Sequence, residues 1–153
     1  MLPYGIQKII SGGQTGADRA ALDWAMEHGI PHGGWCPKGR RAEDGHIPEK
    51  YRLQETPSAD YSERTEKNVM DSDATVIFTE VPVLSGGSLL TAQMADRHQK
   101  PWIRVNRTVD AVQRLVDFLL IHQPQVLNVA GPRLSQDLDI GKWVKEALDA
   151  CLA

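Results

Sequence analysis

Short apolar runs alternate along the chain with segments in which apolar residues recur at helical spacing. The clearest strand pattern is residues 74–79 (Ala-Thr-Val-Ile-Phe-Thr), which is apolar almost throughout and rich in β-branched residues. A run that is apolar on both faces is typical of a buried strand in a parallel sheet. Similar but shorter patterns predict strands at 8–11, 33–36, 102–106 and 125–129.

Helices are predicted between these strands, where apolar residues share one helical face. The expected helices span about 15–28, 62–72, 89–98, 109–121 and 138–152. The hydroxyls of Thr15 and Ser62 are expected to cap the first two helices, and Asp137 or Asp139 the last. Gly29 is expected to end the first helix, because glycine readily takes the left-handed conformation that commonly follows a helix.

Strands that alternate with helices form βαβ units around a parallel sheet. We therefore expect an α/β, Rossmann-like fold with a mostly parallel sheet of about five strands and helices on both faces. The chain of 153 residues suits a single domain, and we assign residues 1–153 to one Rossmann-like ligand-binding domain.

One stretch does not follow the alternation. Residues 37–61 are rich in proline, glycine and charge and carry no clear periodicity. Connections of this length are uncommon in compact domains and often have a function. We expect an irregular loop that either lies open to solvent or closes over a ligand.

Composition narrows the classes of partner. The formal net charge is −3 and 24% of the residues are charged, so the chain lacks the basic excess that binding along DNA or an anionic membrane requires. The two cysteines are too few for a disulfide framework, and no His or Cys spacing suggests a metal site. The N-terminal residues do not resemble a signal peptide, and no apolar run approaches a membrane span. We expect a cytoplasmic protein with neither nucleic acid nor membrane as partner.

Glycine follows three of the predicted strands. The segments are Ser-Gly-Gly-Gln-Thr-Gly at 11–16, Ser-Gly-Gly-Ser at 85–88 and Ala-Gly-Pro-Arg at 130–133. The carboxyl ends of parallel strands meet at one edge of the sheet, where ligands of such folds bind. The three segments are therefore expected to lie close together.

A helix N-terminus offers free N–H donors and a partial positive charge, and glycine lets an anion approach the backbone. These segments thus predict an anion site with three groups of ligand-binding residues: Ser11, Gly12, Gly13, Gln14, Thr15, Gly16 and Arg19; Ser85, Gly86, Gly87, Ser88 and Thr91; Gly131 and Arg133. The alternative is that glycine serves turn geometry and packing alone. Neither double-glycine loop matches a dinucleotide fingerprint or a P-loop, which argues against an ATPase or GTPase of that class.

Five further polar residues are candidates. Lys38 and Arg40 lie in the basic part of the 37–61 stretch, and Arg64 and Asn68 share one face of a predicted helix. Asp18 lies in the first helical turn, where its carboxylate would repel a phosphate. It either caps its helix or binds a ribose hydroxyl or an amino group of a larger ligand. No Ser-His-Asp or Cys-His arrangement and no acid–base pair of carboxylates is evident, so catalytic residues stay unassigned.

Five stretches of the chain together resemble a known family. They are SGGQTGADRAALDWA (11–25), GGWCPKGRRAEDGHIP (33–48), residues 64–78, LSGGSLLTAQMA (84–95) and LNVAGPR (127–133). They are similar to bacterial molybdenum carrier proteins, a circularly permuted, YpsA-related branch of the SLOG superfamily of Rossmann-like proteins. The resemblance covers nearly the whole chain.

The resemblance implies a pocket for a nucleotide or an oxyanion between the glycine loops. It also implies a carrier without chemistry of its own, whose cargo is the molybdenum cofactor (a pterin that carries a phosphate), molybdate or a nucleotide. The expected partners are a small phosphate-bearing ligand and further copies of the chain, as a dimer or tetramer. A sensor that passes a nucleotide signal to a separate protein is a weaker alternative.

The enzymatic alternative comes from relatives of the LOG type, phosphoribohydrolases that cleave the N-glycosidic bond of nucleoside monophosphates. The resemblance places their PGGxGTxxE loop at SGGSLLTAQ, which keeps the glycine pair and Thr91 but has no glutamate. Hydrolysis would need a carboxylate from elsewhere, and Glu66 and Glu80 are the candidates if the fold brings either to the pocket.

Overall fold

The computed structural model describes residues 2–153 and is built around a parallel sheet of five strands in the order β2-β1-β9-β7-β8. This confirms the predicted α/β fold with about five parallel strands. Four shorter strands form two small ribbons, β3–β6 and β4–β5. In chain order the strands are β1 (Lys8–Ile10), β2 (His32–Gly33), β3 (Trp35–Cys36), β4 (Arg41–Ala42), β5 (Gly45–His46), β6 (Gln54–Glu55), β7 (Ala74–Phe78), β8 (Trp102–Val105) and β9 (Val126–Ala130).

Five α-helices cover the two faces of the main sheet: α1 (Ala17–Glu27), α2 (Tyr61–Met70), α3 (Gly86–Arg97), α4 (Ala111–His122) and α5 (Ile140–Leu152). α5 packs against α1 and α4, whereas α2 packs against α3. The main core lies under the first group, where Trp24, Phe78 and Leu148 are almost completely buried. No helix in residues 2–153 is long and apolar enough to cross a bilayer.

The order of strands creates a crevice at one edge of the sheet. From β1 the chain passes through α1 to β2 on one side, and from β7 it passes through α3 to β8 on the other. β9 fills the position between β1 and β7. At such a switch point the flanking loops diverge, which leaves a space outside the carboxyl ends of the strands.

Helix starts differ from the sequence predictions for identifiable reasons. α1 begins after Gly16 rather than Thr15, because the Thr15 hydroxyl bonds Glu43 instead of the helix backbone. α2 is capped by Asp60, whose side chain accepts the Ser62 N–H at 3.0 Å, so Ser62 lies inside the helix. The end of α1 is as predicted, since Gly29 follows it with φ +66.

The later helices also begin at other residues than expected. α3 begins at Gly86, so the glycine pair forms its first turn instead of a loop before it. α4 begins at Ala111 rather than 109 and α5 at Ile140 rather than 138. Asp139 takes the N-cap position of α5 but makes no side-chain capping hydrogen bond.

The strand predicted at 33–36 is divided at Gly34 into β2 and β3, which belong to different sheets. Gly34 has φ +127, and a Cβ there would lie 2.2 Å from the Ser11 carbonyl oxygen. A glycine is therefore needed for the chain to pass Ser11, directly after β1, at this distance. The bend sends residues 35–60 away from the main sheet.

Residues 37–61 are more ordered than predicted. β4 and β5 form an antiparallel hairpin, and β6 pairs in parallel with β3. Arg40 ties the segment together from inside, because its guanidinium donates to the carbonyl oxygens of Ile47, Pro48 and Tyr51 at 2.8–3.0 Å. The segment is a small packed layer against α1, with a second apolar cluster of Leu22, Cys36, Ile47 and Tyr51.

Candidate functional site

The carboxyl ends of β1, β9 and β7 open into a cleft of about 840 Å³. Its walls are the first part of α2, the start of α3 and the segments that follow these strands. The volume falls in the range of sites for small organic ligands, about 300–1,000 Å³. The fold brings twelve of the predicted ligand-binding residues to this cleft: Gly12, Gln14, Asp18, Arg64, Asn68, Ser85, Gly86, Gly87, Ser88, Thr91, Gly131 and Arg133.

α3 begins directly in the wall of the cleft. Its N-cap residue, Ser85, makes no side-chain capping hydrogen bond. The first N–H groups of an α-helix have no partner within the helix. Gly86 and Gly87 are exposed, and a Cβ added at either would meet no atom within 4 Å, so no neighbouring group packs on the side-chain side of this backbone. The start of α3 thus offers the cleft backbone donors and the positive end of a helix dipole.

The turn between β1 and α1 behaves differently, because it satisfies its own donors. The Gln14 N–H donates to Asp18 Oδ2 at 3.2 Å, and the Gly13 N–H donates to the Ser11 hydroxyl oxygen at 3.4 Å. The Thr15 N–H donates to the Gln14 side-chain oxygen at 3.1 Å. The Asp18 and Gln14 side chains therefore take hydrogen bonds that a bound anion would have received. This turn favours a ligand group that donates hydrogen bonds over a phosphate.

Asp18 has an unusual environment for a carboxylic acid. It is 6% exposed, and burial raises its pKa from 3.8 to about 6 because desolvation disfavours the charged form. The Arg64 guanidinium opposes this rise most strongly, followed by the N–H groups of Gln14 and Gly12 and by Arg19. Above pH 6 the side chain is a charged acceptor in the cleft wall.

Arg64 reaches across from α2 to the same turn. Its Nη1 donates to the Gly12 carbonyl oxygen at 2.8 Å and lies 4.0 Å from Asp18 Oδ2. Its guanidinium carbon lies 5.1 Å from the centre of the Tyr61 ring, which supports the group from one side. The side chain is 12% exposed, so the cleft contains a partly desolvated positive charge.

Asn68, one turn further along α2, has a different task. Its Oδ1 accepts the Trp35 N–H at 2.8 Å and its Nδ2 donates to the Trp35 carbonyl oxygen at 3.0 Å. These two bonds hold β3 against α2. The predicted shared face of Arg64 and Asn68 is present, but only Arg64 retains several donors for a ligand.

The segment after β9 forms the floor of the cleft. A Cβ at Gly131 would lie 2.5 Å from the Phe78 carbonyl oxygen and 2.7 Å from the Ala17 Cβ, so close packing requires this glycine. The Pro132 carbonyl oxygen accepts the Ala17 N–H at 3.2 Å, which uses one donor of the first turn of α1. Arg133 lines the cleft beyond these contacts and adds a second positive charge.

Seven predicted ligand residues lie outside the cleft lining. Three of them support the β1–α1 turn from behind. The Ser11 hydroxyl donates to the Asp18 backbone carbonyl at 2.9 Å. Gly13 faces Leu53 and Ile47, and Gly16 packs against the 132–134 backbone.

Two more, Thr15 and Arg19, bind the tip of the β4–β5 hairpin. The Thr15 hydroxyl donates to the Glu43 carboxylate. Arg19 pairs with Asp44 through two hydrogen bonds, Nη1 to Oδ2 at 2.5 Å and Nη2 to Oδ1 at 2.8 Å. These contacts hold the hairpin beside the first turn of α1.

The remaining two are Lys38, which is exposed, and Arg40, which is 7% exposed and bound to three carbonyl oxygens. The geometry gives Arg40 a structural task inside the 37–61 segment.

Several residues in the cleft were not predicted from the sequence: Asp60, Ser62, Thr79, Val81, Pro82, Leu90, Asn128, Gln136 and Asp137. One had a usable signal. Asn128 interrupts the apolar strand β9, where it is 3% exposed and donates to Thr75 Oγ1 at 3.2 Å. A polar residue in an otherwise buried apolar strand is a reason to expect a site nearby.

Of the two glutamates proposed for the enzymatic alternative, one lines the cleft and the other does not. Glu80 lines the cleft, where one carboxylate oxygen accepts the Arg107 N–H at 2.7 Å. Glu66 lies outside the lining and pairs with His98 at 2.8 Å, which lowers the pKa of its carboxyl group.

The comparisons with known proteins agree with this architecture. The chain is 50% identical to a protein whose crystal structure is described as "Putative molybdenum carrier protein" from Syntrophus aciditrophicus SB. The match covers 100% of this chain and 98% of the other, with a TM-score of 0.94. No curated protein shows a significant match. The model of the circularly permutated YpsA SLOG family matches residues 9–152, and the chain belongs to this family.

Proposed function

We propose that the chain is a carrier that binds a phosphate-bearing small molecule in the cleft and releases it chemically unchanged. The observation that carries this proposal is the start of α3, which presents uncapped backbone donors in the wall of an 840 Å³ cleft. The phosphate would lie against Gly86, Gly87 and Ser88. Arg133, from the segment that follows β9, would add positive charge to the cleft.

Cleft size and charge favour a ligand larger than a bare oxyanion. A tetrahedral oxyanion would fill only a small part of 840 Å³. Four carboxylates line the cleft beside the two arginines: Asp18, Asp60, Glu80 and Asp137. Such a lining disfavours an anion everywhere except at the helix N-terminus. It suits a molecule with one phosphate and several hydrogen-bond donors, which describes a phosphorylated pterin or a nucleotide.

The relative of known structure directs the choice of cargo. That protein is named as a molybdenum carrier, and it is 50% identical over the full length of this chain. The molybdenum cofactor carries a phosphate on a pterin, so the residues of the cleft fit its organic part. We therefore propose the molybdenum cofactor as the first candidate, followed by a nucleotide and by molybdate alone.

Binding is tested by calorimetric titration of the purified chain with phosphate, molybdate, nucleoside monophosphates and the molybdenum cofactor. Gly87→Asp places a negative charge at the donor end of α3 and should weaken binding of every phosphate-bearing ligand at least about tenfold, or 1.4 kcal/mol. An aspartate in the first turn stabilises a helix, so the loss would not come from unfolding. Gly87→Ala is the matched control, because its Cβ meets no atom within 4 Å.

Unchanged affinity in Gly87→Asp would exclude the start of α3 as the phosphate site. Failure of every compound to bind would overturn the proposed function itself.

The second candidate is N-glycosidic hydrolysis of a nucleoside monophosphate. Two observations favour it: Glu80 lies in the cleft, and the pKa of Asp18 is raised to about 6, which suits proton transfer near neutral pH. Incubation with each nucleotide, followed by chromatography, decides between the two functions. A carrier leaves the nucleotide intact, whereas a hydrolase releases free base over many turnovers.

We also propose that the carrier is a homo-oligomer. Apolar side chains are exposed beside the cleft, with Val81 at 50%, Val83 at 75% and Leu89 at 39%. Exposed apolar patches are typical of surfaces that contact another protein. Sedimentation velocity measures the state directly, and a monomer at all concentrations would contradict the proposal.

A further inference from the structure

Asp18 and Arg64 face each other in the cleft without forming a closed ion pair. Arg64 Nη1 and Asp18 Oδ2 are 4.0 Å apart, whereas a hydrogen-bonded pair of these groups lies at about 2.7–2.9 Å. Both side chains are nearly buried, at 12% and 9% side-chain exposure. An acceptor and a donor therefore stand side by side in a partly desolvated wall.

Both groups have hydrogen-bonding capacity left. A carboxylate offers about four acceptor sites, and the Asp18 carboxylate accepts the Gln14 N–H at one of them. A guanidinium has about five N–H donors. Arg64 uses one for the Gly12 carbonyl oxygen at 2.8 Å and a second, weakly, for Thr65 Oγ1 at 3.4 Å.

The geometry points to Asp18 and Arg64 as the residues that determine ligand specificity, by binding the amide-type edge of a heterocycle. On such an edge a carbonyl oxygen lies next to a ring N–H. The carbonyl would accept from Arg64 and the ring N–H would donate to Asp18. Guanine and pterin share this edge, and both add an exocyclic amino group that also donates to a carboxylate.

Adenine presents the opposite pattern. Its amino group would face the Arg64 guanidinium, and its ring nitrogen, which has only a lone pair, would face the Asp18 carboxylate. Both contacts are repulsive, and buried polar groups left without partners lower affinity strongly. The pair therefore selects guanine or pterin over adenine.

This inference rests on the proposed function, because the phosphate at the start of α3 sets the other end of the ligand. It also accounts for the carboxylate in the β1–α1 turn. The Gln14 N–H holds the Asp18 carboxylate and the Ser11 hydroxyl holds its backbone carbonyl, so the acceptor is fixed in place before the ligand arrives. Tyr61, under the Arg64 guanidinium, limits the positions that the donor can take.

The test is calorimetric titration of the full chain at pH 7.5 with GMP, IMP, AMP and neopterin monophosphate. We expect GMP and the pterin phosphate to bind at least about tenfold more tightly than AMP, since a bidentate polar contact discriminates at this level. IMP has the carbonyl and ring N–H but no amino group, so it should fall between GMP and AMP. The pterin and GMP arms separate the two sources of the shared edge.

Two variants locate the preference. Asp18→Asn keeps the shape of the side chain but exchanges an acceptor for a donor. It should reduce the ratio of GMP affinity to AMP affinity to near one. Arg64→Lys keeps the charge but loses the planar guanidinium, and it should reduce the same ratio. Asp44→Asn is the matched control, because this carboxylate pairs with Arg19 outside the cleft. It should leave the ratio unchanged, and thermal melts establish that each variant is folded.

The outcomes separate the two proposals. Equal affinity for GMP and AMP, or an undiminished preference in folded Asp18→Asn and Arg64→Lys, overturns the specificity assignment and leaves the phosphate site intact. If Gly87→Asp binds none of the compounds and the wild type binds GMP and AMP equally, the cleft recognises the phosphate alone. If inorganic phosphate and all four compounds fail to bind, the proposed function falls and this inference with it.

Discussion

The Glu43 carboxylate binds Ser135 twice, accepting its N–H at 3.1 Å and its hydroxyl at 2.5 Å. Glu43 lies at the tip of the β4–β5 hairpin, and Ser135 follows the floor of the cleft. The same carboxylate accepts the Thr15 hydroxyl, and the Glu43 N–H donates to the Gln14 side-chain oxygen at 2.8 Å. The hydrogen bonds from Ser135 and Thr15 lower the pKa of the Glu43 carboxyl group. One residue therefore links the hairpin to the β1–α1 turn and to the segment that follows the floor of the cleft.

Glu43→Ala should loosen the 132–137 segment without unfolding the domain. Because this segment contributes Pro132 and Arg133 to the cleft, we expect ligand affinity to fall severalfold and amide exchange of residues 133–137 to rise about tenfold. Hydrogen exchange with mass spectrometry measures the second effect. Glu49→Ala is the control, since this glutamate contacts His46 within the 37–61 segment and not the cleft. Equal exchange in both variants would show that Glu43 does not hold the segment.

Asp18 should make stability fall as pH rises. An unfolded aspartate loses its proton near pH 3.8, whereas the folded Asp18 keeps its proton up to about pH 6. Between these values the folded state binds more protons than the unfolded state, so the free energy of unfolding decreases as pH rises. The decrease is complete above the pKa of the folded state. The shift corresponds to about 3 kcal/mol.

The measurement is urea unfolding of the wild type and Asp18→Asn between pH 4 and 7. The difference in unfolding free energy should move in favour of the variant by up to about 3 kcal/mol across this range. Asp44→Asn should show no such trend, because the pKa of Asp44 is lowered and not raised. A difference that is flat with pH would mean that Asp18 ionises freely in the folded chain.

Gly34→Ala should destabilise the fold by about 3 kcal/mol, through contact with a backbone atom and strain at positive φ. The added Cβ would lie 2.2 Å from the Ser11 carbonyl oxygen, a backbone atom directly after β1. Gly45→Ala is the control for φ alone, because Gly45 has φ +108 but no atom within 4 Å of its Cβ. Gly45→Ala should lower the free energy of unfolding by about 1 kcal/mol, with both variants measured by urea unfolding. Equal losses would attribute the effect to φ and not to space.

Arg40→Lys should lower stability by about 2 kcal/mol and leave ligand affinity unchanged. A lysine cannot reach the carbonyl oxygens of Ile47, Pro48 and Tyr51 together, so buried acceptors lose their partner. Thermal melts and titration with GMP measure the two quantities. Lys38→Ala, at an exposed position of the same segment, should change neither. If Arg40→Lys is stable but binds GMP more weakly, Arg40 contributes to ligand binding after all.

The local hydrophobic pattern was sufficient to predict the order of strands and helices. The apolar run at 74–79 and the helical spacing of the segment after Thr15 each reflect burial on a face that the backbone geometry sets. Alternation of the two periods then predicted the parallel sheet, and glycine after three strands predicted a site at its edge. Helix boundaries were harder, because the Thr15 hydroxyl binds the distant Glu43 and because Asp60, not the predicted Ser62, caps α2.

The roles of the site residues depended on long-range contacts. By itself the sequence determined the α/β fold and the place where the glycine segments meet, since both follow from local periodicity and strand direction. Only the tertiary structure decided that Asp18 satisfies the β1–α1 donors while the start of α3 stays open. It also decided that Arg40 is structural and that Arg64 faces Asp18. Those outcomes depend on which charges become buried beside which partners, and residues far apart in the chain set that environment.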